Sequence, residues 1–350
     1  MEKQRDFSFD ALRGIAIIAV VVIHATSLSL DSVEVKSGNY FFLIAFRQLF
    51  YFAVPAFFFI SGYWNANYTI ASVEHYKIFL IKRLNRILIP YLTWSSLLIL
   101  ASSIHDQSFS ISKAAFSLIT GGASGPYYFI IALTQVYALT PIIKYLSKSF
   151  WGNTLIVLIS FANLSLIYIL QLHFNFSIDF RVYGLLFSTW IIFYSIGIIL
   201  GSKERKNLRF SNKSIWILFG ILLSLTLSTL ESFYFLFNYP NVSFVSSAVK
   251  FSSFTYSFFI ILGFMALRER VQVWSNLIVQ LGEYSFGIYL IHMISMVKIN
   301  YIMKYFTLVN SFQPIYQVVI VFLTILSCYG AIAITRKLLK RSFSSNVLGF

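Results

Sequence analysis

Along this chain, long apolar runs are separated by shorter connections that hold most of the charge. A helix needs about 20 largely apolar residues to cross a bilayer. Ten runs reach or approach that length, at 9–30, 40–63, 87–104, 127–146, 152–171, 181–200, 214–236, 248–267, 284–305 and 315–335. The connections at 64–86 and 105–126 are long enough for short interfacial helices, and 272–283 reads as an amphipathic lead-in to the ninth run. No fixed-period repeat, low-complexity tract or soluble domain interrupts the pattern, so residues 1–350 are expected to form one integral-membrane domain with no appended soluble domain.

The basic residues fall on alternate connections. Lys3, Arg5, Lys77, Lys82, Arg83, Arg86, Lys144, Lys148, the 201–213 group (Lys203, Arg205, Lys206, Arg209, Lys213), Arg268, Arg270 and the tail (Arg336, Lys337, Lys340, Arg341) are 19 of the 27. The opposite side has Lys36, Lys113, Arg181, Lys250, Lys298 and Lys304. The positive-inside rule then places both termini in the cytoplasm and calls for an even number of spans. Composition agrees: 58% of residues are hydrophobic and 11% charged, which excludes water as the solvent for most of the surface. The expected fold class is an all-α polytopic membrane protein, a bundle of about ten transmembrane helices in the lipid bilayer. A net charge of +15 would suggest nucleic acid in a soluble chain, but its distribution here serves topology, and no nucleic-acid partner is expected. The lone Cys328 excludes a disulfide framework and a multi-cysteine metal site, and the spacing of His75, His105 and His173 suggests no metal. No cleavable signal precedes the first run, which is expected to stay in the protein and act as its targeting signal.

The first run carries two costly residues, Arg13 and His24. Eleven residues of helix rotate through about 1100°, so the two lie about 20° apart in azimuth and about 16 Å apart along the axis, on one face. Asp10, three residues before Arg13, is placed to pair with it. Arg13 reads equally as a snorkelling, topogenic residue. His24 lies about two-thirds of the way across. Ionisable residues within spans face a cavity or a partner, and a neutral imidazole suits proton removal from a hydroxyl.

These segments resemble a known family. "FDALRGIAIIAVVVIHA" is similar to the opening of the membrane acyltransferase 3 family, and "FAVPAFFFISGYW", "KRLNRILIPYLTW", "GPYYFIIALTQVYALTPII" and "GEYSFGIYLIH" follow in the family's order. Members move acyl groups, often acetyl, onto cell-envelope carbohydrates. The fourth segment departs from the pattern: members commonly have a His-Leu-Trp-Phe-like run where this chain has Tyr127, Tyr128 and Phe129.

The resemblance implies a multi-pass protein of the bacterial cytoplasmic membrane, with acetyl-CoA or another acyl-CoA as donor substrate, no permanently bound cofactor or metal, and an envelope glycan such as O-antigen or exopolysaccharide as acceptor. His24 is then the base or a transient acyl carrier, supported by Arg13 and Asp10. Arg83 and Arg86 read equally as topogenic charge and as guanidinium forks for the phosphates of coenzyme A; no Walker-type loop points to ATP. Ser285, Tyr289 and His292 follow i, i+4, i+7 spacing, which fits either interhelical hydrogen bonding or a tunnel for the pantetheine arm, with His292 deeper toward the cytoplasm than His24. Glu283 is placed to balance a nearby arginine. On the acceptor side stand Arg47, Tyr127, Tyr128 and Glu231. Arg47 could steady an oxyanion or an acidic sugar, or pair with Glu231. Pro55 suggests a helix irregularity and Ser61-Gly62 a helix end. A polysaccharide exporter is the rival class, since buried charges in ten spans also suit a substrate pathway.

Overall fold

The computed structural model describes residues 6–174, 176, 178–202, 213–239, 245–268, 274–306 and 311–350. Lys3, Arg5, Lys203, Arg205, Lys206, Arg209 and Arg270 lie outside the described residues, as do 272 and 273 of the expected lead-in. All regular structure among the described residues is helical, as hydrocarbon requires of a chain that must satisfy its own backbone hydrogen bonds.

Helix α1 (Phe7–Leu30) begins where the Asp6 carboxylate accepts from the Ser8 amide. The second run is two helices, α2 (Gly38–Gln48) and α3 (Ala53–Asn65), separated by an irregular turn. Pro55 supplies the reason: it has no N–H for the carbonyl of Tyr51, four residues earlier, and its ring crowds that carbonyl. The turn closes instead with shorter-range bonds, Phe50 N to Arg47 O at 3.1 Å and Ala53 N to Phe50 O at 3.0 Å. Helix α4 (Val73–His105) has 33 residues, starts at a Ser72 cap, and carries Arg83 and Arg86 inside a continuous helix where a connection was expected.

Helix α5 (Ile111–Thr120) ends at Gly121, whose φ of +74° suits glycine. It forms a bent pair with the following Gly125–Ala138 segment, at 58°, which contains α6 (Tyr128–Ala138). Then come α7 (Thr140–Leu146), α8 (Phe150–Tyr168), α9 (Phe180–Gly184), α10 (Phe187–Gly201), α11 (Ser214–Asn238), α12 (Phe251–Arg268), α13 (Asn276–Glu283), α14 (Ser285–Met303), α15 (Gln313–Leu338) and α16 (Arg341–Val347). With α2 and α3 taken together, 8 described helices are long and apolar enough to cross a membrane, or 9 with the bent pair. Each of the ten expected runs holds helix, but the fourth is split into α6 and α7, with the 58° bend just before it, and in the sixth the main helix, α10, has only 15 residues.

Hydrocarbon offers helices no hydrophobic reason to associate, so close approach falls to small residues. Along α11, Gly220, Ser224, Ser228 and Ser232 form the buried stripe, while Leu218, Phe219, Leu222 and Leu223 face outward. The most extensive packing among the described helices is between α3 and α10. A Cβ on Gly62 would sit 2.0 Å from the Tyr194 carbonyl oxygen, and one on Gly197 2.1 Å from that of Phe59. Gly62 is therefore a packing position within α3, not the helix end that Ser61-Gly62 suggested. Gly197→Val is expected to destabilise the bundle by about 1–3 kcal/mol or more, read as loss of monodisperse protein on size exclusion in detergent.

Helix α1 lies at the centre, against α3, α13, α14 and α15. The α13 contact is backbone to backbone: a Cβ on Gly282 would sit 1.8 Å from the Asp10 carbonyl oxygen, and one on Gly14 2.1 Å from that of Ile278. The expected interfacial lead-in is thus clamped to α1, and this brings Glu283 and Ser285 beside Asp10 and Arg13.

Candidate functional site

Two cavities open along α1. The first, about 670 Å³, is lined by Asp10 and Arg13 of α1, Arg83 and Arg86 of α4, and Ser285 and Tyr289 of α14. The second, about 570 Å³, is lined by His24 and Ser27 of α1, Arg47 of α2, Tyr51 of the α2–α3 turn, Tyr128 of α6 and again Tyr289. Both volumes lie in the range of small-ligand sites. Phe129 and Tyr289 line both cavities, so these two rings form the wall between them. Of the pair expected on one face, Arg13 lines the first cavity and His24 the second.

The first cavity is strongly basic. Arg13, Arg83, Arg86, Arg336 and Arg341 face three carboxylates, Asp6, Asp10 and Glu283. Asp10 accepts from Arg13 at 2.9 Å, and Asp6 pairs with Arg268 at 2.7 Å. The guanidinium of Arg83 lies 5.8 Å from the Phe79 ring centroid, which orients it by a cation–π contact. Arg83 and Arg86 are one helical turn apart and present adjacent forks, the geometry that phosphates accept.

In the second cavity His24 is half-buried, and no described residue hydrogen-bonds to its imidazole. The Arg47 side chain donates to Ser27 Oγ at 3.1 Å and is only 5% exposed. Its Nε has no partner among the described residues. The break in the second run produces this arrangement, because the turn before Pro55 aims Tyr51 inward, where its hydroxyl donates to the Ser246 carbonyl at 2.5 Å. Arg47 and Lys250 each lie 5.6 Å from the Tyr51 ring centroid. Asp179 and Arg181 pair at the wall through two guanidinium nitrogens, and the Arg181 hydrogen bond holds the Asp179 carboxyl below its usual range. The Tyr289 hydroxyl donates to the Pro126 carbonyl, fixing the shared wall.

Several expectations are corrected by this geometry. Glu231 does not pair with Arg47: it accepts from Tyr168 and Ser252 and lines neither cavity. Tyr127 also lies off both cavities, fully buried, donating to the Leu290 carbonyl at 2.7 Å. His292 lines neither cavity; its ring lies close to that of His24, with centroids 5.3 Å apart. Of the predicted stripe, Ser285 and Tyr289 reach the first cavity.

Three residues counted only as topological charge line these cavities, and a fourth, Lys250, lies close by Tyr51 of the second. Arg336 and Arg341 return from the tail to the first cavity, and Arg181 lines the second. Lys250 is fully buried behind Tyr51, donating to Gln48 Oε1 at 3.1 Å and to Ser232. For Lys250 and Arg181 a signal existed, since basic residues are few on that side of the sequence; for the tail arginines none did.

Comparison with known proteins adds three findings. The chain matches the family model of an acyltransferase domain, acyltransferase 3, over residues 6–336. It is 23% identical over 299 residues to a Staphylococcus aureus protein described as a probable poly-beta-1,6-N-acetyl-D-glucosamine export protein, covering 80% of this chain and 79% of that protein. No solved structure matches.

Proposed function

The chain belongs to the acyltransferase 3 family, and from that premise we propose that it is an integral-membrane O-acyltransferase. It moves an acyl group, acetyl in the first instance, from cytoplasmic acyl-CoA to a hydroxyl of an envelope polysaccharide or glycolipid. The observation that carries this reading is the pair of cavities: one lined by arginines, one holding His24, with Phe129 and Tyr289 lining both.

The positive-inside rule puts the arginine-lined cavity on the cytoplasmic side. The phosphates of coenzyme A bind Arg83 and Arg86, joined by Arg336 and Arg341. The pantetheine arm runs along α14 past Ser285 to Tyr289, and the thioester reaches the wall between the cavities. Asp10 fixes Arg13 at the inner edge of this path. A sugar hydroxyl enters the second cavity from outside and meets His24. The hydroxyl oxygen attacks the thioester carbonyl carbon, a C–O bond forms and the C–S bond breaks. His24 takes the hydroxyl proton and passes it to the departing sulfur, leaving an ester and free coenzyme A thiol. Arg47, held by Ser27 beside the same cavity, offers its unpartnered Nε to the developing oxyanion. Transfer through an acyl-His24 intermediate uses the same groups in two steps. Donor and acceptor meet without the coenzyme crossing the membrane.

The name of the Staphylococcus relative supports a second reading, export of a β-1,6-linked N-acetylglucosamine polymer, and adds that polymer to the candidate acceptors. One experiment separates the readings. Protein in nanodiscs is incubated with acetyl-CoA labelled in the acetyl group and with envelope glycan from the producing cell. Acyl transfer predicts label covalently attached to glycan and released by mild base. Glycan movement across proteoliposomes with no covalent label would establish export and overturn the transferase.

A further inference from the structure

His292 is fully buried, yet it lines neither cavity. Its Nδ1 faces two backbone carbonyls on its own helix, of Tyr289 at 2.7 Å and Ile288 at 3.2 Å. Both partners are acceptors, so Nδ1 carries the hydrogen. In the neutral ring, Nε2 is then a bare lone pair. That atom is buried and has no hydrogen-bond partner among the described residues, which is a costly state for an acceptor. The His292 ring lies beside that of His24, with centroids 5.3 Å apart and planes inclined at 47°, closer than its contact with Tyr289 at 6.1 Å. His24 in turn has no other hydrogen-bond partner among the described residues.

We propose that His292 is the positioning residue for His24: its Nε2 accepts the N–H of one His24 nitrogen and so leaves the other His24 nitrogen unprotonated toward the second cavity. The inference rests on the reading of His24 as the base. A base needs one nitrogen free, and an unrestrained imidazole divides its hydrogen between two tautomers. An acceptor fixed on one side selects the useful one and holds the ring plane. It also steadies the imidazolium that forms when the hydroxyl proton arrives, as a hydrogen-bonded orienting group does for a histidine base. The helix carbonyls are the next link, since they set which nitrogen of His292 is bare. The i, i+4, i+7 stripe thus divides in two. Ser285 and Tyr289 face the donor path, and His292 turns to α1.

The test uses the full chain in nanodiscs, labelled with ¹⁵N-histidine, with the His24 signals identified by their loss in His24→Ala. In the wild type, long-range proton–nitrogen correlations are expected to show His24 as one neutral tautomer. His292→Leu is expected to give a mixture of tautomers and to lower kcat by about 10–100-fold, while KM for acyl-CoA stays unchanged. His292→Gln, whose side-chain oxygen can accept near the former Nε2, should recover most of kcat. In the His24→Ala background, His292→Leu should lower the residual turnover no further. Unchanged kcat and an unchanged His24 tautomer in His292→Leu overturn the proposal, as does a glutamine variant no better than leucine. Should the leucine variant fail to fold, His292→Met against His292→Gln makes the same comparison. If His24→Ala itself turns over normally, the base assignment fails, while a tautomer shift in His292→Leu still supports the pairing.

Discussion

His24→Ala is expected to remove most or all acyl transfer while leaving the protein folded and inserted. The expected loss is about 10²–10⁴-fold in kcat, the usual contribution of a positioned general base; if an acyl-histidine forms, the loss is complete to the detection limit. KM for acyl-CoA is expected to hold, because the proposed donor contacts line the other cavity. The folded state should tolerate the change, since no described residue hydrogen-bonds to the imidazole and the ring is half-exposed to a cavity. Two measurements check this: mass spectrometry of the envelope glycan from cells carrying the variant, and size exclusion of the purified protein. Near-normal glycan acetylation by a well-folded variant would remove His24 from the mechanism. Arg13→Ala makes a useful contrast. It leaves Asp10, which is 9% exposed at its side chain, without its ion pair, so its loss of activity should come with a loss of stability.

Much of the bundle could be read from hydropathy alone, because the lipid imposes a length on each apolar run regardless of what the run packs against. The Asp10–Arg13 pair and the shared face of Arg13 and His24 were equally legible, since both follow from the pitch of a single helix. What the sequence did not disclose depends on more than one element. The break before Pro55 was hidden because apolar residues continue across it. Its effect, turning Arg47 and Tyr51 inward, appears only once the Ser246 carbonyl and Lys250 are in place around the ring. Gly62 looked like punctuation until α10 came close enough to need it. Glu231 was matched to Arg47 by depth alone, and Tyr168 and Ser252 had the shorter reach. That His292 comes close to His24 could not be read either, because it depends on how α14 packs against α1. The tail arginines could not be assigned to the first cavity, because their place depends on how α15 and α16 return to the bundle.

Removing both forks of the first cavity should have the second large effect. Arg83→Ala with Arg86→Ala is expected to raise KM for acyl-CoA by about 10–10³-fold, taking the charge-assisted hydrogen bonds of the half-buried Arg83 at about 1.5–3 kcal/mol and those of the solvent-exposed Arg86 at about 1 kcal/mol or less, with a much smaller change in kcat at saturating donor. Arg336→Ala and Arg341→Ala, both largely solvent-exposed, should each raise KM only about 5-fold or less. The same alanines also delete two positive charges from the side that the positive-inside rule makes cytoplasmic, so a failed insertion would mimic a failed site. Lysines resolve the two. Arg83→Lys with Arg86→Lys keeps the topogenic charge and the attraction to lipid phosphate, but replaces two planar forks with point charges that cannot bind a phosphate bidentately. Insertion, measured by the accessibility of introduced cysteines, should then be normal while KM stays well above that of the wild type. A donor analogue lacking the 3′-phosphate should lose less affinity in the lysine variant than in the wild type if that phosphate is what the forks hold. Full recovery of KM by lysine would mean that the arginines serve topology and lipid contact, and that the donor phosphates bind elsewhere.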